Sequence, residues 1–160
     1  MSVSMETIRV GILIGSPSDR PLADKIVEAL TGLSIGCEVK VLSAHRTPDR
    51  VVTYVKAAEG RGIGVLIACA GLAAHLAGVV AAHTLLPVIG VPVAGGTLLG
   101  LDALLATVQM PPGIPVATVA IDGGRNAAIL AARILALHDP DVRDALQAAL
   151  DADRLRYDQV

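Results

Sequence analysis

Residues 7–19, TIRVGILIGSPSD, decide the fold. Thr7 to Ile14 is a run rich in β-branched and apolar residues, with Arg9 its one charged member, ended by Gly15-Ser16-Pro17-Ser18-Asp19, and Leu22, Ile26, Val27 and Leu30 then recur at helical spacing. The pattern is strand, loop, helix, and it repeats. Cys37 to Leu42 leads into Ser43-Ala44-His45-Arg46-Thr47-Pro48-Asp49 and a helix carrying Val51, Val52 and Val55. Gly64 to Ala70 leads into Gly71-Leu72-Ala73-Ala74-His75-Leu76 and an Ala-rich helix to about His83. The strand ends Ile14, Leu42 and Ala70 are evenly spaced while the sequences differ, which suits βαβ units and not a solenoid repeat. Val88 to Val93 with a helix from about Leu99 to Val108, and Val116 to Ile121 with a helix from about Arg125 to Leu137, complete the series.

Strands that are apolar on both faces belong in a parallel sheet covered by helices on each side. The predicted fold is therefore α/β: a three-layer αβα sandwich with a flavodoxin-like, doubly wound parallel sheet in the order 2-1-3-4-5. Asp139-Pro140 reads as a cap and first-turn proline for an extra C-terminal helix over 140–155, with Val142, Leu146, Ala149 and Leu150 on one face. We expect residues 1–160 to form a single domain with its core in 7–138, and the last helix to pack on a neighbouring subunit.

Composition narrows the function. The 160 residues carry 13 basic and 15 acidic side chains, a formal charge of −2, which gives no electrostatic basis for a nucleic-acid or anionic-membrane partner. With 53% hydrophobic and 18% charged residues the chain is not disordered. Phe and Trp are absent and Tyr54 and Tyr157 are the aromatics, so a ring ligand would lie mainly between backbone and aliphatic groups. The apolar excess points to surface buried in a homo-oligomer. Mean hydropathy is +0.63, yet the most apolar region, Gly62 to Val93, is broken by His, Gly and Pro87 and is no membrane span. Met1 to Glu6 lacks the basic-then-apolar layout of a secretory signal, so a cytoplasmic protein is expected. Cys37 and Cys69 sit in apolar runs and read as packing residues, not as a disulfide or metal ligands.

In open α/β sheets ligands bind beyond the carboxyl ends of the strands, and the most polar loops of this chain fall there. Ser16, Ser18 and the N–H groups of the first loop could cradle an anion, while Asp19 taken alone reads rather as a plain N-cap of the following helix. The second loop is the densest polar cluster. Arg46 offers a planar fork for oxyanions, and His45 is of the type that exchanges protons near neutral pH. Alternatively Thr47-Pro48-Asp49 only starts a helix and the two are solvated. His75 reads as ligand or as structural histidine, and the bare third loop would contribute backbone groups. His83 and His138 read as surface or packing residues. Zinc spacings, HExxH, GxSxG, CxxC, the P-loop and GxGxxG are all absent from the sequence.

Taken together, Gly15-Ser16-x-Ser18-Asp19, Ser43-Ala44-His45-Arg46-Thr47-Pro48-Asp49 and Ala70-Gly71-x-Ala73-Ala74-His75-Leu76 resemble the N5-carboxyaminoimidazole ribonucleotide mutase family of purine biosynthesis, in its bacterial class I form. The resemblance covers Val10 to Leu137 and includes Leu86 to Val93, Gly100 to Leu105, Val108 to Pro111 and Asn126 to Ala128. It implies a cofactor-free, metal-free enzyme that moves a carboxylate from the exocyclic nitrogen of its ribonucleotide substrate to ring carbon 4, working as an octamer with sites at subunit contacts. By that likeness Ser16, Ser18 and Arg46 hold the 5′-phosphate, Asp19 the ribose hydroxyls, and His45 shuttles the proton. Ser43 and Ala44 also touch substrate, and backbone at Ala70 and Gly71 with His75 and Leu76 frames the ring.

The chain departs from the family pattern where Leu72 replaces a usual Gly, Ala77 a usual Pro and Arg20 a usual apolar residue. Ala94-Gly95-Gly96-Thr97 stands for a more polar loop, and the stretch Ile121 to Asn126 is shorter than the common form. Class II relatives, which carboxylate free aminoimidazole ribonucleotide, resemble Ser-Ala-His-Lys and Ala-Gly-Arg-Ser-Asn where this chain has Arg46 and Ala73-Ala74-His75. That comparison favours the mutase. The remaining competitors are a ribonucleotide-binding module without turnover and a purely structural oligomer.

Overall fold

The computed structural model describes residues 8–158; Thr7 of the expected first strand and the Met1–Glu6 reading lie outside them. Five parallel strands form one sheet in the order β2-β1-β3-β4-β5, with β1 at Ile8–Ile14, β2 at Gly36–Val41, β3 at Val65–Gly71, β4 at Val88–Val93 and β5 at Ala117–Thr118. The helices are α1 (Arg20–Thr31), α2 (Pro48–Ala58), α3 (Leu76–Ala81), α4 (Leu101–Val108), α5 (Gly124–Leu135) and α6 (Pro140–Tyr157). This is the doubly wound sandwich expected from the apolar runs.

Alternation along the central strands divides the core in two. Val10, Ile12, Ile14, Val65, Ile67 and Cys69 pack under α1 and α5, whereas Leu13, Leu66 and Ala68 pack under α2 and α3 with Val51, Val55, Leu76 and Val80. Burying either layer is the main stabilising term. Cys69 is fully buried and burial pushes its thiol up to about 12, so it packs as a small apolar side chain. Tyr54 on α2 donates to Glu38 of β2 at 2.9 Å, and burial raises its hydroxyl pKa. Burial also works against ionised Glu38, but the Tyr54 hydroxyl, Arg61 and Lys40 outweigh it and hold that carboxyl below its usual range.

Boundaries moved where the backbone had a local reason. α4 starts at Leu101 and not Leu99, because Leu99 (φ +50°) and Gly100 (φ +92°) are left-handed and cannot belong to a right-handed helix. α3 stops at Ala81, and His83 follows in a turn with its Nδ1 against the Val79 carbonyl at 2.8 Å. β5 keeps two residues of the expected six, 116–121. Pro92 turns its carbonyl to this side and has no N–H to supply the next rung.

Gly90 lets α4 sit close to β4: a Cβ there would lie 2.3 Å from the Thr107 methyl. Thr107 is buried and donates its hydroxyl to the Ala103 carbonyl at 2.7 Å. Asp139 accepts from the N–H groups of Asp141 and Val142 and pairs with Arg9, so it caps α6 and ties it to the start of β1. Val142 and Leu146 bury against the core of their own chain, while Leu155 and Tyr157 at the far end are exposed. Among the described residues no helix is long and apolar enough to cross a membrane.

Candidate active site

The loops after β1, β2, β3 and β4 converge on a cavity of about 470 Å³ at the carboxyl edge of the sheet. Ser16, Ser18, Asp19, Ser43, Ala44, His45, Arg46, Ala70, Gly71 and Leu76 line it. His75 is absent from the wall but touches it through His45. A larger depression of about 880 Å³ lies at the amino edge among Lys56, His83, Leu85 and Ile114 and gathers none of the loop motifs.

The first loop folds on itself. Ser18 donates through its N–H and hydroxyl to the Ser16 hydroxyl at 3.3 and 2.9 Å, and the Ser16 N–H donates to Asp19 at 3.2 Å. Asp19 immediately precedes α1 yet makes no side-chain cap bond to it; its carboxylate turns back to close this single-turn box. The N-cap reading of Asp19 is corrected accordingly. Burial raises its pKa, the Ser16 N–H and the Ser18 hydroxyl pull it down, and the charge of Asp122 adds to the rise. A folded pKa above the unfolded one stabilises fully at low pH and is lost as pH rises through the folded value. At neutral pH the fold therefore bears a buried carboxylate. We expect D19N, which keeps an oxygen for the Ser16 N–H, to melt no lower than the native protein at neutral pH, with any gain shrinking on acidification. A clearly lower Tm at neutral pH would contradict this.

The second loop is a closed turn. The Thr47 hydroxyl accepts from the Ser43 N–H at 3.0 Å, and the Ser43 hydroxyl accepts from the Arg46 N–H at 3.2 Å. Held at its base, the turn displays His45 and Arg46 on the cavity rim, and both are exposed. Among the described residues no carboxylate pairs with the Arg46 guanidinium.

His45 Nε2 lies 2.8 Å from His75 Nδ1, with ring centroids 4.9 Å apart and planes at 87°. One nitrogen donates and the other accepts across that contact, which of them depending on the tautomer. Two histidines from different strand ends thus meet at the rim of the cavity. Among the described residues no cluster of His, Cys, Asp and Glu has the makings of a metal site.

Sequence reasoning missed the fourth wall. Val93 at the end of β4 and Ala94, Gly95 and Gly96 after it line the cavity beside Leu72 and Ala73. The signal was the strand order, since β4 neighbours β3 and must end at the same edge. Leu72 has φ +54°, in the left-handed region that favours glycine, so this departure from the resembled pattern falls where a side chain is strained.

The comparisons agree with the geometry. Residues 9–154 match the family described as AIR carboxylase. The chain is similar to the N5-carboxyaminoimidazole ribonucleotide mutase of Pyrococcus abyssi, with 54% identity over 139 residues covering 87% of this chain and 80% of that protein. Similarity to the enzyme of the same name from Thermotoga maritima is 57% over 134 residues, covering 84% and 78%. The phosphoribosylaminoimidazole carboxylase of Schizosaccharomyces pombe is 52% identical over 147 residues, 92% of this chain but 27% of that longer protein. The crystal structure of Treponema denticola PurE superposes with a TM-score of 0.84 at 31% identity, covering 94% of both chains. With its doubly wound sheet, its loop motifs around one cavity and these relatives, the chain belongs to the AIR carboxylase family.

Proposed function

We propose that this protein converts N5-carboxyaminoimidazole ribonucleotide to 4-carboxy-5-aminoimidazole ribonucleotide in purine biosynthesis, without cofactor or metal, using His45 as general acid and base. The observation that carries the reading is the His45–His75 contact at 2.8 Å on the rim of a cavity shared with Arg46 and the Ser16–Ser18 loop. The anion-binding groups and the proton-transfer group are then within one small ligand's reach.

In the first step the exocyclic N–C bond breaks, carbon dioxide leaves, and the nitrogen keeps the electron pair and takes a proton from His45. In the second, ring carbon 4 attacks the carbon dioxide held in the cavity and its proton passes to His45. The walls of Ala44, Ala70, Gly71, Leu76 and Gly95 bear no nucleophile to intercept it. Ser16, Ser18 and Arg46 hold the phosphate and Asp19 the ribose; Ser43 and Ala44 shape the second loop against the substrate, and Ala70, Gly71, His75 and Leu76 frame the ring. The chain works in the cytoplasm as one domain in a homo-octamer. Supporting self-association, Leu101, Leu105 and Val108 expose one stripe of α4 beside Leu98 and Leu99, and the exposed end of α6 is free to reach a neighbour.

A second reading, carboxylation of free aminoimidazole ribonucleotide, is favoured by the 52% identity to the Schizosaccharomyces pombe carboxylase. One time course separates them: purified protein with fresh N5-carboxyaminoimidazole ribonucleotide, beside aminoimidazole ribonucleotide with dilute bicarbonate. We expect rapid product from the first only. Efficient use of the second establishes the carboxylase, and tight binding without turnover establishes a binding module.

A further inference from the structure

β5 leaves the sheet after Thr118, and Asp122 then completes the open edge of β4. Gly90, Pro92 and Ala94 face that side in turn: Val119 N–H donates to the Gly90 carbonyl at 3.1 Å, Asp122 N–H to the Pro92 carbonyl at 2.8 Å, and Ala94 N–H to Asp122 Oδ1 at 2.9 Å. The carboxylate stands where a strand partner's carbonyl would stand. Its backbone is left-handed, φ +55°, a conformation that Asp and Asn tolerate through short polar side chains.

Ala94 opens the wall segment Ala94-Gly95-Gly96, which has no side chain larger than a methyl to anchor itself. Ala94 and Gly96 are exposed and a Cβ at Gly95 would meet no atom within 4 Å, so close contacts are confined to the two ends of the segment. A Cβ at Gly100 would lie 2.9 Å from Ile121 Cγ2 and 3.0 Å from Ala94 Cα, and one at Gly96 would lie 2.7 Å from Leu72 Cδ2. The segment is therefore pinned at its start by one side-chain hydrogen bond and approached by Leu72 at Gly96, with Gly95 between them open.

We infer that Asp122 is a positioning residue: its carboxylate holds the Ala94–Gly96 wall closed so that carbon dioxide freed in the cavity returns to the ring. The inference rests on the mutase reading. When the wall loosens, the N–C bond still breaks and the nitrogen still takes its proton, but carbon dioxide escapes and aminoimidazole ribonucleotide is left as the product.

D122G keeps the left-handed backbone and removes only the side chain, whereas D122N keeps both the backbone tolerance and an oxygen for the Ala94 N–H. The readout is the ratio of aminoimidazole ribonucleotide released to carboxylated product formed, with spontaneous loss subtracted. Misfolding lowers the rate but leaves this ratio unchanged. We expect D122G to raise the ratio about fivefold or more and D122N to stay within about twofold of native. A native ratio in D122G, or equal leakage in D122N and D122G, overturns the inference. Hydrogen exchange of the peptide carrying Ala94 reads the anchor without turnover: it quickens in D122G and not in D122N. No quickening in D122G overturns the anchor, while absence of conversion by the native protein overturns only the reaction assigned to it.

Discussion

His45→Asn lowers the rate of carboxylate transfer roughly a hundredfold or more while leaving ribonucleotide affinity close to native, because loss of a general acid–base group acts on the transition state and not on binding. The geometry makes the expectation specific. His45 sits on a turn whose base is closed by Thr47 and Ser43, so Asn at this position leaves the turn intact. Its Nε2 is within hydrogen-bond distance of His75; an asparagine amide, which reaches only as far as the imidazole Nδ1, gives up that contact and cannot exchange a proton near neutral pH. Steady-state rates with titrated ligand binding check this. A variant with near-native turnover removes His45 from the chemistry, and one that loses binding and turnover together makes it a binding group.

Arg46→Ala weakens ribonucleotide binding by about 10- to 100-fold, the range expected when a charged hydrogen-bond donor to phosphate is lost. Because Arg46 stands on the exposed rim and no carboxylate among the described residues competes for it, its removal takes away ligand contact without breaking an internal pair. Arg46→Lys restores part of the affinity, since the charge stays while the planar fork is lost. Isothermal titration with the ribonucleotide and with its dephosphorylated nucleoside decides it. The loss must appear for the nucleotide and vanish for the nucleoside; an equal loss for both places Arg46 away from the phosphate.

Much of this site was legible because parallel sheets make the sequence local. Each polar loop directly follows an apolar run, and a run such as Val65 to Cys69, buried on both faces, fixes which end of the strand it occupies. Hence Ser16, Ser18, Asp19, Ser43, His45, Arg46 and Gly71 could be placed at one edge from spacing alone. The limits were equally physical. β5 looked like a strand through Ile121 because Val116 and Val119 are strand formers, and no propensity reports that Pro92 on the partner strand withholds a rung. α4 looked longer because leucine is a strong helix former, while Leu99 and Gly100 are both left-handed.

By itself the sequence determined the layers, the strand order and the edge at which the loops meet, since hydrophobic periodicity and loop composition act within a few residues of one another. Tertiary structure alone decided that His45 meets His75 across 30 residues, that Asp19 turns back to Ser16 instead of capping α1, and that Asp122 finishes β4 beside the Ala94–Gly96 wall. Those contacts depend on strand register and on left-handed backbone turns, which place distant residues within ångströms and leave no periodic trace in the chain.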